Sequence, residues 1–384
     1  MKKISTLSVF ALIINTGVFY CQSTFTYTGK PMYEIVTKQN NSVLGSIIVE
    51  LFPTIAPKHV RNFDSLVSTG FYDTTAFHRC VPSFVIQGGD PNSRSGPIST
   101  WGYGQPNQPT VNAEFGPVKH VRGSFSAARS SNINSATSQF FICVAPAANL
   151  NGQYSLYGRV TSGMTVVDAI VNTPKMPNAP YTSMPLQKIE MFVTYIGSND
   201  TIPNAPVLNV PVNDSMNVDD GVPLFLKWNS VSDALLYNLE IARDAAFTDI
   251  VSTFTSINTS FMLQTMTPNT TYFWRVRCDN GGNVSVYSPT WKFYTFDATG
   301  IAGVSNKENE VQVFPNPGTG SFTFSNLEKG NKVEVFDPSG KLISTVFVKD
   351  ASFQLDLEGK QKGMYIYRVT DSRQEVKQGK LLLK

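Results

Sequence analysis

The side chains best suited to chemistry lie together in residues 77–90, which read Phe-His-Arg-Cys-Val-Pro-Ser-Phe-Val-Ile-Gln-Gly-Gly-Asp. An arginine, a phenylalanine and a glutamine recur there at strand spacing before a glycine turn. A guanidinium in such a segment can donate hydrogen bonds to an atom that becomes a better acceptor during a reaction. Nucleophilic hydrolysis fits poorly, because the chain has three histidines and no serine or cysteine in a nucleophile elbow.

Three further blocks follow at fixed distances. Residues 123–129 read Gly-Ser-Phe-Ser-Ala-Ala-Arg, residues 138–143 read Ser-Gln-Phe-Phe-Ile-Cys, and residues 150–160 read Leu-Asn-Gly-Gln-Tyr-Ser-Leu-Tyr-Gly-Arg-Val. Together with residues 77–90, in this order and at this spacing, they resemble the signature of the cyclophilins. These proteins are peptidyl-prolyl cis/trans isomerases. The resemblance covers roughly residues 27–196, about half of the chain.

Isomerisation of an X-Pro amide breaks no bond, but it crosses a barrier of about 20 kcal/mol because resonance is lost in the twisted amide. The resemblance implies that Arg79 donates to the proline nitrogen in that state and assigns catalysis to Arg79, Phe84 and Gln87. It implies no cofactor and no metal. The residues that it places against the bound peptide are His78, Val85, Ala128, Arg129, Gln139, Phe141, Leu150 and Tyr154.

Strand parity supports this grouping, since Val85 and Gln87 share one face of a strand, as do Gln139 and Phe141. Phe84, Val85, Phe141 and Leu150 would grip the proline ring, and Gln87 with the backbone near Ala128 and Arg129 would hold the flanking peptide.

The chain departs from the family pattern at a few positions. Many eukaryotic cyclophilins have a tryptophan, which contacts the inhibitor cyclosporin, where this chain has Asn149. Tyr154 replaces a pocket histidine and keeps an aromatic wall with a polar tip. Val85 stands where a methionine is common, which predicts a stiffer and slightly shallower wall.

The resemblance predicts a mainly β fold: over residues 27–197, a cyclophilin-like closed antiparallel barrel with two capping helices. The sequence predicts the first helix at Pro57–Thr69, because Pro57 suits a first turn, Gly70 stops the helix, and one apolar stripe is formed by Val60, Phe63, Leu66 and Val67. The second helix is predicted at Thr165–Val171. Residues 91–115 show no regular pattern and are expected to form a long loop beside the groove.

The amino-terminal residues 1–23 are expected to be a signal peptide, since Lys2 and Lys3 precede an apolar run. Cleavage after Ser23 is one outcome and lipid attachment at Cys21 is the other, although bulky Tyr20 disfavours the second. No later segment is long enough to span a bilayer.

Removal of residues 1–23 leaves three cysteines, an odd number that cannot complete a disulfide framework. Strand parity also argues against a bond between Cys80 and Cys143, which are expected on different faces. The sequence has no metal-ligand spacing such as Cys-x-x-Cys, and its net charge of +3 is too small to indicate nucleic-acid binding.

A second domain is predicted at residues 203–297 and resembles a fibronectin type III β-sandwich. Trp228 is expected between its sheets, and Tyr272 is expected to make the corner hydrogen bond at the start of a late strand. The acidic segment Asp219-Asp220-Gly221 is interpreted as a turn rather than a calcium site.

A linker is predicted at residues 298–310, followed by a small β-sandwich at residues 311–384. A Pro-Asn-Pro entry, an Asp-Pro-Ser-Gly-Lys hairpin and a Gly-Met-Tyr-Ile-Tyr strand occur there in that order. This order resembles the C-terminal sorting domain of type IX secretion substrates in Bacteroidetes, rather than a generic adhesive domain. The resemblance implies recognition by the type IX secretion machinery.

These observations favour a peptidyl-prolyl isomerase that acts on exported proteins and is itself secreted or held at the cell surface after passing through the periplasm. Its expected partners are proline-containing peptides or proteins. The alternative is a non-catalytic module that binds proline peptides or serves in adhesion. The arginine at position 79 favours catalysis, because binding alone does not need a donor aimed at the amide nitrogen.

Overall fold

The computed structural model describes residues 27–219, 223–296, 311–337, 339–372 and 375–384. The expected signal peptide, the linker, and Asp220 and Gly221 of the acidic turn lie outside the described residues. The fold is mainly β. In these ranges no helix is both long and apolar enough to cross a membrane.

The first domain is a closed eight-stranded antiparallel barrel in the order β1-β2-β7-β5-β6-β4-β3-β8. This confirms the predicted barrel. Its strands are β1 Lys30–Gln39, β2 Ser42–Leu51, β3 Ala76–Val81, β4 Val85–Asp90, β5 Ser124–Ala127, β6 Phe140–Cys143, β7 Leu156–Ser162 and β8 Ile189–Asn199.

Two helices of the barrel domain lie close to the predicted ranges. Helix α1 spans Pro57–Ser68, with Thr69 as its C-cap, and its stripe packs on the barrel interior. Gly70 adopts φ +66°, a conformation that glycine reaches without steric cost, and the chain turns there. Helix α3 spans Met164–Asn172, one residue longer at each end than predicted.

The segment between β4 and β5 is less irregular than expected. It contains a short helix α2, Asn92–Ser95, and a 3₁₀ turn at Ile98–Thr100. A second 3₁₀ turn of the domain lies outside this segment, at Ala148–Leu150. The prediction of a wholly unstructured loop at residues 91–115 was therefore wrong. Four-residue elements of this kind lack the apolar periodicity that would show them in sequence.

The barrel interior is a dense aromatic core centred on Phe63. Its ring contacts those of Tyr33, Tyr72 and Phe125 at centroid distances of 5.2, 5.0 and 5.4 Å. Burial of such rings supplies most of the driving force for folding of the barrel. A solid interior leaves the outer face of the strands as the place for a groove.

The second domain consists of two sheets, in the orders β10-β16-β15-β12-β13 and β14-β11-β9. The burial of Trp228 between the sheets is confirmed, as is the corner bond, in which Thr267 N donates to Tyr272 Oη at 2.7 Å. The fibronectin type III assignment stays a prediction. The strands are β9 Leu208–Val210, β10 Ser215–Asp219, β11 Leu224–Trp228, β12 Leu236–Ala242, β13 Ile250–Ser256, β14 Ser260–Leu263, β15 Thr271–Asp279 and β16 Trp291–Phe296.

The third domain is also a two-sheet sandwich, in the orders β17-β18-β21 and β20-β19-β22-β23. The predicted hairpin turn joins β19 to β20, and Asp337 Oδ1 accepts bonds from Ser339 N and Lys341 N at 2.9 and 3.0 Å. The strands are β17 Gln312–Phe314, β18 Ser321–Ser325, β19 Lys332–Phe336, β20 Leu342–Phe347, β21 Ser352–Asp356, β22 Gly363–Thr370 and β23 Val376–Leu383.

The barrel and the second domain meet through a buried ionic cluster. Lys30 of β1 is fully buried, and its Nζ lies 3.2 Å from Glu50 Oε1 and 2.5 Å from Asp233 Oδ2 of the second domain. Beside this cluster, a Cβ added at Gly281 would lie 2.4 Å from the ring of Phe52. Only glycine allows that close approach between the two domains.

Candidate functional site

Strand pairing brings the predicted catalytic residues together. In the β3–β4 pair Arg79 lies opposite Gln87, and in the β4–β6 pair Gln87 lies opposite Phe141. Register irregularities in β3 on either side of Phe77 re-aim the side chains that follow. Phe84 follows Ser83, whose φ of +59° turns the chain between β3 and β4.

Nine of the eleven predicted site residues surround one cavity of about 260 Å³ on the outer face of these strands. Among the described residues that line it, none is an aspartate or a glutamate. The lining residues are Arg79, Phe84, Val85, Gln87, Ala128, Arg129, Phe141, Leu150 and Tyr154.

The floor of the cavity is apolar. Val85, Phe141 and Leu150 are buried and pack in a cluster separate from the barrel interior, with Phe84 and Tyr154 packed against them. The ring of Tyr154 meets that of Phe141 edge-on at 5.6 Å. A small aliphatic ring is the kind of group that such a pocket accepts.

One side of the cavity carries a chain of amide and guanidinium groups. Arg79 Nη1 donates to Gln87 Oε1 at 3.3 Å, and Gln87 Nε2 donates to Gln139 Oε1 at 3.0 Å. Gln139 Nε2 in turn donates to the carbonyl oxygen of Gly102 at 3.1 Å. Gln139 lies behind Gln87 and lines an adjacent cavity of about 320 Å³.

On the opposite side, Arg129 is held by the backbone. Its Nε and Nη2 donate to the carbonyl oxygen of Gln153 at 3.1 and 3.0 Å, and its guanidinium lies 4.5 Å from the ring centroid of Tyr154. The N–H of Ala128 donates to Gln139 O at 2.9 Å. The backbone donor of Ala128, which was expected near the peptide, is therefore engaged within the barrel.

His78, like Gln139, does not line the central cavity. Its ring is buried and faces a neighbouring cavity of about 300 Å³, which Arg79 and Gln87 also line. Burial lowers the pKa of His78, and the nearby carboxylate of Asp90 opposes that shift only in part. A neutral buried imidazole supports the wall between the two cavities.

The neighbouring cavities include residues that the sequence analysis did not identify. Trp101 and Tyr103 come from the segment between β4 and β5, and Tyr181 comes from the segment before β8. All three lie in irregular backbone, where neither period two nor period 3.6 identifies a face. Their aromatic character was the sole available signal.

The three cysteines in the described part of the chain are poor candidates for a nucleophile. Cys80, Cys143 and Cys278 are free and buried, and burial raises the pKa of both Cys80 and Cys143 to about 12. Cys80 packs in the barrel interior and Cys143 packs with Val85 and Phe141, so the two cysteines lie on different faces, as the parity argument predicted. Within the described ranges, no three His, Cys, Asp or Glu side chains are grouped to hold a metal ion.

Comparison with known proteins gives the family. Residues 33–191 match the model for cyclophilin type peptidyl-prolyl cis-trans isomerases. A peptidyl-prolyl cis-trans isomerase of Acinetobacter baylyi is 37% identical over 163 residues, which are 41% of this chain and 84% of that protein. The chain belongs to the cyclophilin family. A probable peptidyl-prolyl cis-trans isomerase of Brucella suis is 44% identical over 130 residues, 33% of this chain, and the match spans 66% of that protein's length.

A crystal structure of a Cryptosporidium parvum cyclophilin is 28% identical to this chain with a TM-score of 0.37, covering 44% of this chain and 99% of that one. In the C-terminal part of the present chain, residues 312–384 match the secretion system C-terminal sorting domain. The predicted type IX sorting domain is thereby confirmed. This domain marks the chain as an exported or cell-surface protein.

Proposed function

We propose that this cyclophilin isomerises X-Pro bonds in exported or extracellular proteins. The observation that carries the proposal is that Arg79 lines a cavity with an apolar floor, which is large enough to hold a proline ring and part of the flanking peptide. Family membership supports the reaction, and the geometry of the cavity supports the assignment of roles.

The proline ring would occupy the floor formed by Val85, Phe141 and Leu150, with Phe84 and Tyr154 closing its sides. This apolar environment favours the twisted amide over the planar one, because the planar amide is more dipolar and loses more hydration on entry. The pocket thus binds the transition state more tightly than the ground state.

Arg79 would donate to the proline nitrogen, which regains a lone pair when resonance is lost. No carboxylate lies among the residues that line the cavity, so the guanidinium charge there is not neutralised by an ion pair. Gln87 lies beside Arg79 and both orients the guanidinium and offers an amide to the peptide backbone. Catalysis needs no proton transfer in this scheme.

The sorting domain supports a two-step export route. An N-terminal signal would direct the chain to the periplasm, and residues 311–384 would engage the type IX secretion machinery at the outer membrane. The mature protein would then be secreted or attached to the cell surface. Its substrates would be proline-containing segments of proteins in the same compartments.

The decisive experiment is a proline-isomerisation assay with the signal-processed chain and a short Ala-Pro peptide. NMR exchange spectroscopy measures binding and the cis/trans exchange rate in the same sample. We expect exchange to accelerate far beyond the uncatalysed rate, whose time scale is tens of seconds. Peptide binding without faster exchange would establish the binding module in place of the enzyme.

A further inference from the structure

The central cavity and its two neighbours, together called the groove, are lined by two arginines and by no acidic residue among the described lining residues. Arg79 and Arg129 line the central cavity, and Arg79 or Arg129 also lines each of the two neighbouring cavities. None of the residues lining these three cavities is an aspartate or a glutamate. A peptide in the groove therefore meets two guanidinium groups and no compensating carboxylate.

Carboxylates of adjacent segments are engaged elsewhere. Asp90 is fully buried and accepts hydrogen bonds from the backbone N–H groups of Asn92 and Gly102. Glu114 binds the ring of His59 at 2.7 Å and accepts from the N–H of Lys58. Neither acid forms an ion pair with the arginines of the groove.

Arg129 is preorganised to bind an anion. Stacking on Tyr154 and bonds to the carbonyl oxygens of Gln153 and Ser130 fix its guanidinium at the edge of the central cavity. These contacts engage three of the five N–H donors of an arginine, which leaves one on each terminal nitrogen without a partner among the described residues. Two terminal donors are what a carboxylate needs for bidentate binding.

We propose that Arg129 gives the groove a preference for peptides that carry aspartate or glutamate within two residues of the proline. The inference rests on the proposed function and specifies its substrate class. Arg79 is assigned to the proline nitrogen, so Arg129 is the cation available to a substrate side chain. Because Arg129 is only half-buried, the gain in affinity over a neutral side chain corresponds to a partly exposed ion pair and is about two- to fivefold.

The test uses proline peptides with Glu, Gln or Lys at each of the two positions before and after the proline. We expect Glu to exceed Lys by about tenfold in kcat/KM and in binding at one position at low salt. The preference should shrink at high salt, because ions screen exposed charges. Equal binding and turnover of the Glu and Lys peptides at every position would overturn the inference.

In the Arg129→Gln variant, the ratio of kcat/KM for the Glu peptide to kcat/KM for the Gln peptide should be close to one. The Arg129→Lys variant should retain part of the preference for the Glu peptide. Arg243→Gln removes the same charge from the second domain and should leave the ratio at the wild-type value. A ratio that survives in a folded Arg129→Gln variant would also overturn the inference. Turnover of the Gln peptide reports separately on the proposed function, and peptide binding tests the charge preference even without turnover.

Discussion

Arg79 donates a hydrogen bond from Nη1 to Oε1 of Gln87 at 3.3 Å, across the two paired strands β3 and β4. The acceptor is a neutral amide that is itself held by Gln139. A carboxylate in the place of Gln87 would bind the guanidinium more tightly and neutralise its charge. An amide instead orients Arg79 and leaves its charge available to a bound peptide.

Replacing Arg79 by alanine should therefore remove most activity without unfolding the barrel. Loss of one donor to the transition state corresponds to about 3–4 kcal/mol, or a factor of about 10² to 10³ in kcat/KM. The measurement is peptide isomerisation, combined with thermal unfolding to establish that the variant is folded. Arg243→Ala, in an exposed ion pair of the second domain, is the matched control and should keep full activity. Unchanged turnover in folded Arg79→Ala would refute the mechanism.

Cyclosporin should inhibit this cyclophilin weakly. Asn149 is exposed and directly precedes Leu150 of the cavity floor, and it has neither an indole N–H nor a large ring to offer an inhibitor. Asn149→Trp should tighten inhibition by about tenfold, equivalent to about 1.4 kcal/mol for one hydrogen bond with ring contact. Peptide turnover should change little, because Asn149 does not line the cavity. Tight inhibition of the unaltered protein in a titration would show that the indole is dispensable.

The ionic cluster between the first two domains should contribute to stability in a pH-dependent way. Burial alone would raise the pKa of Asp233, but Lys30 and Arg159 outweigh it and hold this pKa below the usual range. A carboxyl whose pKa is lower in the folded state stabilises the fold above its unfolded pKa, about 4. The contribution disappears as the pH falls through the folded value.

Asp233→Asn should accordingly lower the free energy of unfolding by about 1–2 kcal/mol at pH 7. This loss is smaller than the loss expected for a fully buried ion pair, because Asp233 is partly exposed. Urea unfolding of both proteins at pH 7 and at pH 3 measures the difference, which should narrow at the lower pH. Asp249→Asn removes a carboxylate from an exposed pair with Arg243 and should change stability by less than about 0.5 kcal/mol. Equal losses of unfolding free energy in the two variants would mean that the buried cluster stabilises the protein no more than an exposed ion pair does.

The family resemblance predicted the barrel, and local sequence patterns predicted some of the elements that position the site. Pro57 and the stripe behind it located helix α1, and the two-residue period placed Val85 with Gln87 on the face that lines the cavity. The relation between Lys30 and Asp233 was not predictable, since these residues are 203 positions apart and charged side chains carry no periodic signal. Trp101 and Tyr103 were not predicted as lining residues for a related reason, because irregular backbone sets their positions.

The last prediction concerns export and the surface that the sorting domain covers. Phe225 and Met262 of the second domain pack against Phe336 and Ile366 of the sorting domain. Deleting residues 311–384 removes the sorting signal and also uncovers this apolar patch. We expect the truncated chain to remain in the periplasm as an active isomerase, because the core of the barrel is formed within the barrel itself.

A full-length Phe225→Ser variant separates the two effects, since it weakens the patch but keeps the sorting domain. It should reach the medium or the cell surface, whereas the truncated chain should not, and a chain without residues 1–23 should stay in the cytoplasm. Fractionation of the native host with an antibody to the barrel measures all three. If the truncated protein reached the surface in normal amounts, residues 311–384 would not be required for sorting. If Phe225→Ser were retained in the periplasm as well, the contact between the second and third domains would itself be part of the export signal.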